Sequence, residues 1–238
     1  MADPLIDVRG VTKHYGGLRP LRLAALTVSA GDRVAITGID APAAEILVTL
    51  LTGAALPDEG EVRLFGRATA GIADAGDWMA TLDRVGMVSP RAMLADDFTL
   101  RQSLALAFTL SLDPMPEPVA ADVARLSAEV GLTAQDLDTL IRDAPPLVKA
   151  RCRLARALAT APAVLVLEHA NALVPDEAAA FGREIAALAK ARGMAVLALT
   201  ADETFASAVA KRVFALDAAT GQLKARGGWR RWFGSPGG

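Results

Sequence analysis

The sequence predicts an α/β fold: a mostly parallel sheet core, antiparallel strands at the N-terminal end and a helical segment inserted midway. Three observations carry this. AVLVL at 163–167 and MAVLALT at 194–200 are apolar almost throughout, so these strands need cover on both faces, the pattern of parallel strands between helices. The runs between them have helical spacing. AITG at 35–38 leads through a short small-residue loop into a helix, a strand-loop-helix corner.

In chain order, LIDVRGVTKHY at 5–15 and LRLAALTVSAGDRVAITG at 21–38 read as strands, with Gly31-Asp32 as a hairpin turn before Arg33–Thr37. From Ala43, Ile46, Leu47, Leu50 and Leu51 share a helical face, and Gly53 ends it. PDEGEVRLFGR at 57–67 gives a turn and a strand. A short helix with Trp78 precedes the strand RVGMVS at 84–89. From about Phe98 to Asp143 the chain reads as wholly helical. Val119, Val123, Leu126 and Val130 form one face, Gly131 stops it, and Thr133 to Asp136 resembles a new N-cap. Alternation then resumes, with helices at 147–159, 176–192 and 203–210 and a terminal hairpin at 212–226.

The 238 residues suffice for one large domain or two small lobes, and a 53% apolar content fills a sizeable core. A net charge of −2 with interspersed signs argues against a nucleic-acid binder. The one cysteine, Cys152, reads as a small helical residue, and a lone thiol suits a reducing compartment. The first residues, MADPLIDVRG, place acids where a signal peptide has bases, and no apolar run approaches the roughly 18 to 20 residues of a membrane span. The expected location is cytoplasmic. Trp229, Arg230, Arg231, Trp232 and Phe233 give the tail two readings, a contact with lipid headgroups or a partner, or a frayed end.

Four blocks in order, VTKHYGG, LTGAALPDEGEVRLFGR, DDFTLRQSLAL and RCRLARALATAPAVLVLEHANALVPDEAAAF, resemble the nucleotide-binding domain of ABC transporters, from about Leu5 to Arg226. The resemblance implies a P-loop NTPase-like cassette over 1–226, with a helical subdomain at about 91–145 and a basic, aromatic tail at 227–238. In that family two cassettes clamp ATP between them, and the helical subdomain receives the coupling helix of a membrane subunit. Residues 93–98 are the expected docking groove here.

Carried over residue by residue, the resemblance exposes substitutions. Gly38 opens GIDAPAAEI, where Ala41 and Ala43 replace glycines, Ala44 the lysine and Glu45 the magnesium-binding hydroxyl, while Pro42 lacks an N–H. Read as lying at the positive end of the helix dipole, Glu45 would oppose a phosphate charge ~5 Å away by about 3 kcal/mol at an effective dielectric near 20. Leu167 replaces the metal-holding Asp, and Glu168 matches the water-activating acid. A one-residue slip would make Glu168 the metal acid and leave the catalytic one missing. His169 stands for a Pro, and Val174 for the Asp of the following loop. Ala144, Pro145, Pro146, Leu147 and Val148 replace the signature sequence, Pro90 the metal-sensing Gln and Ala201 the switch His. Tyr15 keeps the ring that stacks on adenine.

The resulting expectation is a pseudo-ATPase subunit that scaffolds or regulates a transporter at the inner face of the membrane, with no cofactor and no metal. Its expected partners are a permease, an intact ATPase homologue or both, pairing with itself or with that homologue. The alternatives are a divergent subunit that still uses ATP and Mg²⁺, and an interaction module unrelated to membranes. Within the family, the run from Ala92 through the APPLV helix leans towards Mla/Mce-type lipid transporters.

Overall fold

The computed structural model describes residues 4–16, 19–72 and 74–226. The aromatic tail and its five predicted contact residues lie outside them. Two sheets form. Strands β1 (Ile6–Lys13), β2 (Leu21–Val28), β4 (Glu59–Leu64) and β5 (Arg67–Ala68) make an antiparallel sheet in the order β2-β1-β4-β5. The second sheet has the order β10-β9-β3-β8-β7-β6, from β3 (Arg33–Thr37), β6 (Val85–Val88), β7 (Val164–Glu168), β8 (Ala195–Leu199), β9 (Arg212–Asp217) and β10 (Gln222–Ala225). All its pairings are parallel except β10 on β9. The predicted class is the observed one.

Gly31-Asp32 does not form a hairpin. β2 pairs with β1, whereas β3 pairs in parallel with β8 (Val34 beside Leu197) and with β9, so the turn carries the chain from one sheet to the other. The reason is burial: Val34, Ala35 and Ile36 are fully enclosed, and such a strand belongs in the middle of a covered sheet rather than in an edge ribbon.

Two apolar cores result. One lies between the sheets and takes in Ile6, Leu23, Ile36, Leu64 and Trp78 with α1 (Ala41–Leu51). The other packs the far side of the parallel sheet against α3 (Leu100–Ala105), α4 (Glu117–Glu129), α6 (Pro146–Ala157) and α7 (Ala178–Arg192), through Leu104, Leu126, Leu154 and Phe181. Cys152 is buried there, and burial pushes its thiol up from the ordinary value, which suits packing rather than nucleophilicity.

The segment from Phe98 to Asp143 is helical only in pieces: α3, α4, α5 (Ala134–Asp138) and a 3₁₀ turn at Ile141–Asp143. Between α3 and α4 the chain runs through Pro114 and Pro116, which cannot continue a helix ladder. The capping box at Thr133 and Asp136 forms as the spacing predicts. The ends of the segment meet: Thr99 and Leu140 form an antiparallel bridge, Leu100 N donates to Thr139 O at 3.0 Å and Ile141 N to Phe98 O at 2.8 Å.

Candidate functional site

The corner between β3 and α1 is built by four residues. Gly38 takes φ +76°, a conformation that a side chain resists, and a Cβ there would come within 3.2 Å of Leu216 O. Asp40 caps the helix, its Oδ1 accepting from Ala43 N at 2.9 Å, and Pro42 sits in the first turn. α1 therefore starts at Ala41, two residues before the apolar periodicity becomes visible. The Asp-x-Pro order at 40–42 is the signal that marks it.

This geometry corrects the charge argument made for Glu45. The first turn of α1 carries no acid, and the anion at the helix start is its cap, Asp40. Glu45 lies a turn further on, where the dipole has faded, and it is ion-paired with another residue. Arg91 Nη1 donates to Glu45 Oε1 at 2.7 Å. The same guanidinium clasps Glu168 with two bonds, Nε to Oε1 at 3.0 Å and Nη2 to Oε2 at 2.8 Å. Glu168 closes β7 with only 4% of its side chain exposed, while Arg91 and Glu45 are each 47% exposed. Hydrogen bonding to Glu168 raises the guanidinium above its ordinary value, against a smaller opposing effect of burial.

Arg91 follows Pro90 in the segment after β6, which is ordered by a turn in which Arg91 N donates to Ser89 Oγ at 3.0 Å. The sequence reading passed over it. Two acids facing a loop without a lysine need a cation, and this requirement was the available signal.

The other candidate positions separate into distinct places. Tyr15, Gly38, Asp40, Pro42 and Ala43 line one cleft of about 420 Å³ with Leu21, Ile39 and Leu216. Burial, then the charge of Asp40, raises the Tyr15 hydroxyl. Ala44 and Leu167 are fully enclosed, each in a different apolar core. Pro90 and Ala201 are exposed; next to Ala201, Thr200 Oγ1 donates to Asn171 Oδ1 at 2.8 Å. His169 adopts the left-handed conformation (φ 45°), its backbone N–H bonds to Leu199 O, and its Nε2 is buried without a hydrogen-bond partner. Val174 is buried. Ala144, Pro145, Pro146, Leu147 and Val148 form the entrance to α6, which has no side-chain cap. Its two leading prolines present no N–H to any anion there.

No family model matches the chain. The methionine import ATP-binding protein MetN of Caulobacter vibrioides is 31% identical over 217 residues, covering 90% of this chain and 64% of MetN. The ribose import ATP-binding protein RbsA 1 of Mesorhizobium japonicum is 28% identical over 178 residues, 71% of this chain and 33% of RbsA 1. The chain thus spans less than two thirds of the length of these curated relatives. Among solved structures, cbiO1 from Clostridium perfringens, part of the ABC transporter complex cbiONQ, superposes with a TM-score of 0.72 at 18% identity, over 93% of this chain and 85% of cbiO1. The ATP-binding cassette MJ0796, bound to ADP and Pi, gives 0.69 at 17% identity, over 94% of this chain and 100% of MJ0796.

The fold is that of a P-loop ATP-binding cassette. The relatives that share its sequence are named as import ATP-binding proteins. Among the described residues no helix is long and apolar enough to cross a membrane.

Proposed function

We propose that this chain is a cassette subunit that serves an ABC transporter assembly by binding partners, a permease and a second cassette, rather than by hydrolysing ATP. The observation that carries the reading is the Glu45–Arg91–Glu168 cluster. A magnesium triphosphate needs backbone N–H groups, a lysine and oxygen ligands turned towards it. Here the cap Asp40 takes the Ala43 N–H, and a guanidinium already joins the two carboxylates at the corner. These residues do not fit that ligand, and Glu168 is engaged as an ion-pair partner rather than left free to activate water.

A second reading, a divergent subunit that still binds ATP with Mg²⁺, is favoured by the open cleft beside Tyr15 and by relatives named as import ATP-binding proteins. Thermal unfolding separates the two. A ligand at a hundred times its Kd adds about 2.7 kcal/mol of stability. Unchanged melting in millimolar Mg-ATP is the expected result. An upward shift that Tyr15→Ala abolishes would establish the second reading. Co-purification of a permease with the tagged chain from membranes supports the transporter role, and purely soluble partners point to a module unrelated to membranes. The lean towards lipid transporters of the Mla/Mce type belongs to the same proposal and rests on sequence alone.

A further inference from the structure

A groove of about 450 Å³ runs between the end of α4, α6 and α7, away from the corner of β3 and α1. Its floor is Val130, Leu154 and Leu188, all buried, and the exposed Ala187 and Ala191 form its α7 side. Two bidentate ion pairs border it. Arg151 meets Glu184 through Nε at 3.1 Å and Nη2 at 2.7 Å, and gives a further N–H to Gly131 O. Arg192 holds Glu129 through Nε and Nη2 in the same way. Each guanidinium in this neighbourhood is matched by a carboxylate, so the groove suits an apolar occupant and offers little to an anionic one.

Residues 227–238 lie outside the described residues, but the point from which they leave is fixed. Arg226 N donates to Val213 O at 2.8 Å, and the Arg226 guanidinium pairs with Glu203 in the first turn of α8 (Glu203–Val209). That pair turns the chain towards the helical face of the parallel sheet, where α8 lies against α7: a Cβ on Gly182 would come within 3.2 Å of the Phe205 ring. Arg226 follows β10, two strands from β3, a distance of ~10 Å. From the start of β3, Arg33 Nη1 reaches up to Ala186 O at 3.1 Å, next to Ala187 of the groove. Trp229 can extend ~10 Å beyond Arg226, and Trp232 and Phe233 ~20 Å. The cleft beside Tyr15, by contrast, touches Leu216 and Ala218, at the opposite end of the β9–β10 hairpin.

We propose that the groove receives the chain's own tail, with Trp229, Trp232 and Phe233 lying over Val130, Leu154 and Leu188. Positions i, i+3 and i+4 share one face of a helical turn, which sets Arg230 and Arg231 on the other. Glu184 and Glu129, each engaged by one arginine, have carboxylate lone pairs left for those two cations. The contact goes beyond the reading of the chain as a partner-binding cassette and does not depend on it.

Acrylamide quenching of tryptophan emission in the full chain tests the contact. Trp78 is buried in the other core and donates its Nε1–H to Thr52 O, so changes report Trp229 and Trp232. Weak quenching is expected in the native chain, the same at every protein concentration. Ala187→Arg with Ala191→Arg, at two exposed positions, puts charged side chains into the groove and should raise quenching to that of exposed indoles. Trp232→Asp leaves the cassette untouched and should expose Trp229 as well. Strong quenching in the native chain or indifference to both variants would overturn the proposal. So would shielding that grows with protein concentration, which places the tail on a second copy, or shielding that needs phosphatidylglycerol vesicles. Melting in Mg-ATP bears on the non-hydrolytic reading alone, so the two can fail separately.

Discussion

Arg91 lies in the segment after β6, the Arg153–Arg156 pair reaches that same segment from α6, and the fold treats them oppositely. Arg91 meets two carboxylates through three hydrogen bonds, whereas among the described residues Arg153 and Arg156 meet only backbone oxygens. A cation whose charge is cancelled inside the molecule contributes to its own structure. One left over is a cost to it. Removal of Arg91 should therefore lower stability by more than removal of Arg156 does.

The hardest test of the first half of that contrast is an attempt to rebuild the phosphate site. Ala44→Lys with Glu45→Ser forces a long side chain onto a position with 0% exposure and takes one carboxylate from Arg91. A loss of about 3 kcal/mol in denaturant unfolding and no ATP turnover are expected. Turnover would show that the arginine yields readily. Arg91→Met leaves Glu168 enclosed without its cation and should lower stability by about 2 kcal/mol, most of it regained when Glu168→Leu is added. Equal stability of Arg91→Met and the native chain would erase the contrast. Asp40→Ala removes the cap of α1 and should cost about 1 kcal/mol in the same measurement.

For the other half, Arg156→Met should leave stability within about 0.5 kcal/mol, checked by calorimetry, because no carboxylate loses its partner. The smallest effect concerns pH. Arg192 holds the Glu129 carboxyl below its ordinary value, chiefly by hydrogen bonding. A depressed folded-state value means stability fully present above the unfolded carboxylate value, about pH 4.3. It drains away as pH falls through the lower, folded value. Acid titration of the unfolding midpoint should show this slope, and Glu129→Gln should flatten it.

The strand and helix order was legible because it is written in periodicity, which depends on burial alone: Leu165 and Leu197 are apolar wherever the sheet places them. The hairpin reading of Gly31-Asp32 failed because a turn signal gives a change of direction and says nothing about which sheet receives the next strand. At the site, aligning residue types located Glu45 and Glu168, but the bond between them passes through Arg91, 46 residues from one and 77 from the other. Nothing local in RAML at 91–94 signals that partnership. The start of α1 was misjudged for a different reason: a cap is a polar signal, and the apolar pattern that follows it begins a half-turn late.

The bridge between Thr99 and Leu140 sets the entry and exit of a stretch of some forty residues side by side, about 5 Å apart as in any antiparallel pair. What hangs from that pin can change length in its loops without moving either end, since entry and exit are held together. A foreign insert at 99–140 would therefore have to match two adjacent anchor points and also supply apolar side chains in place of Leu104 and Leu126, which cover the parallel sheet beneath.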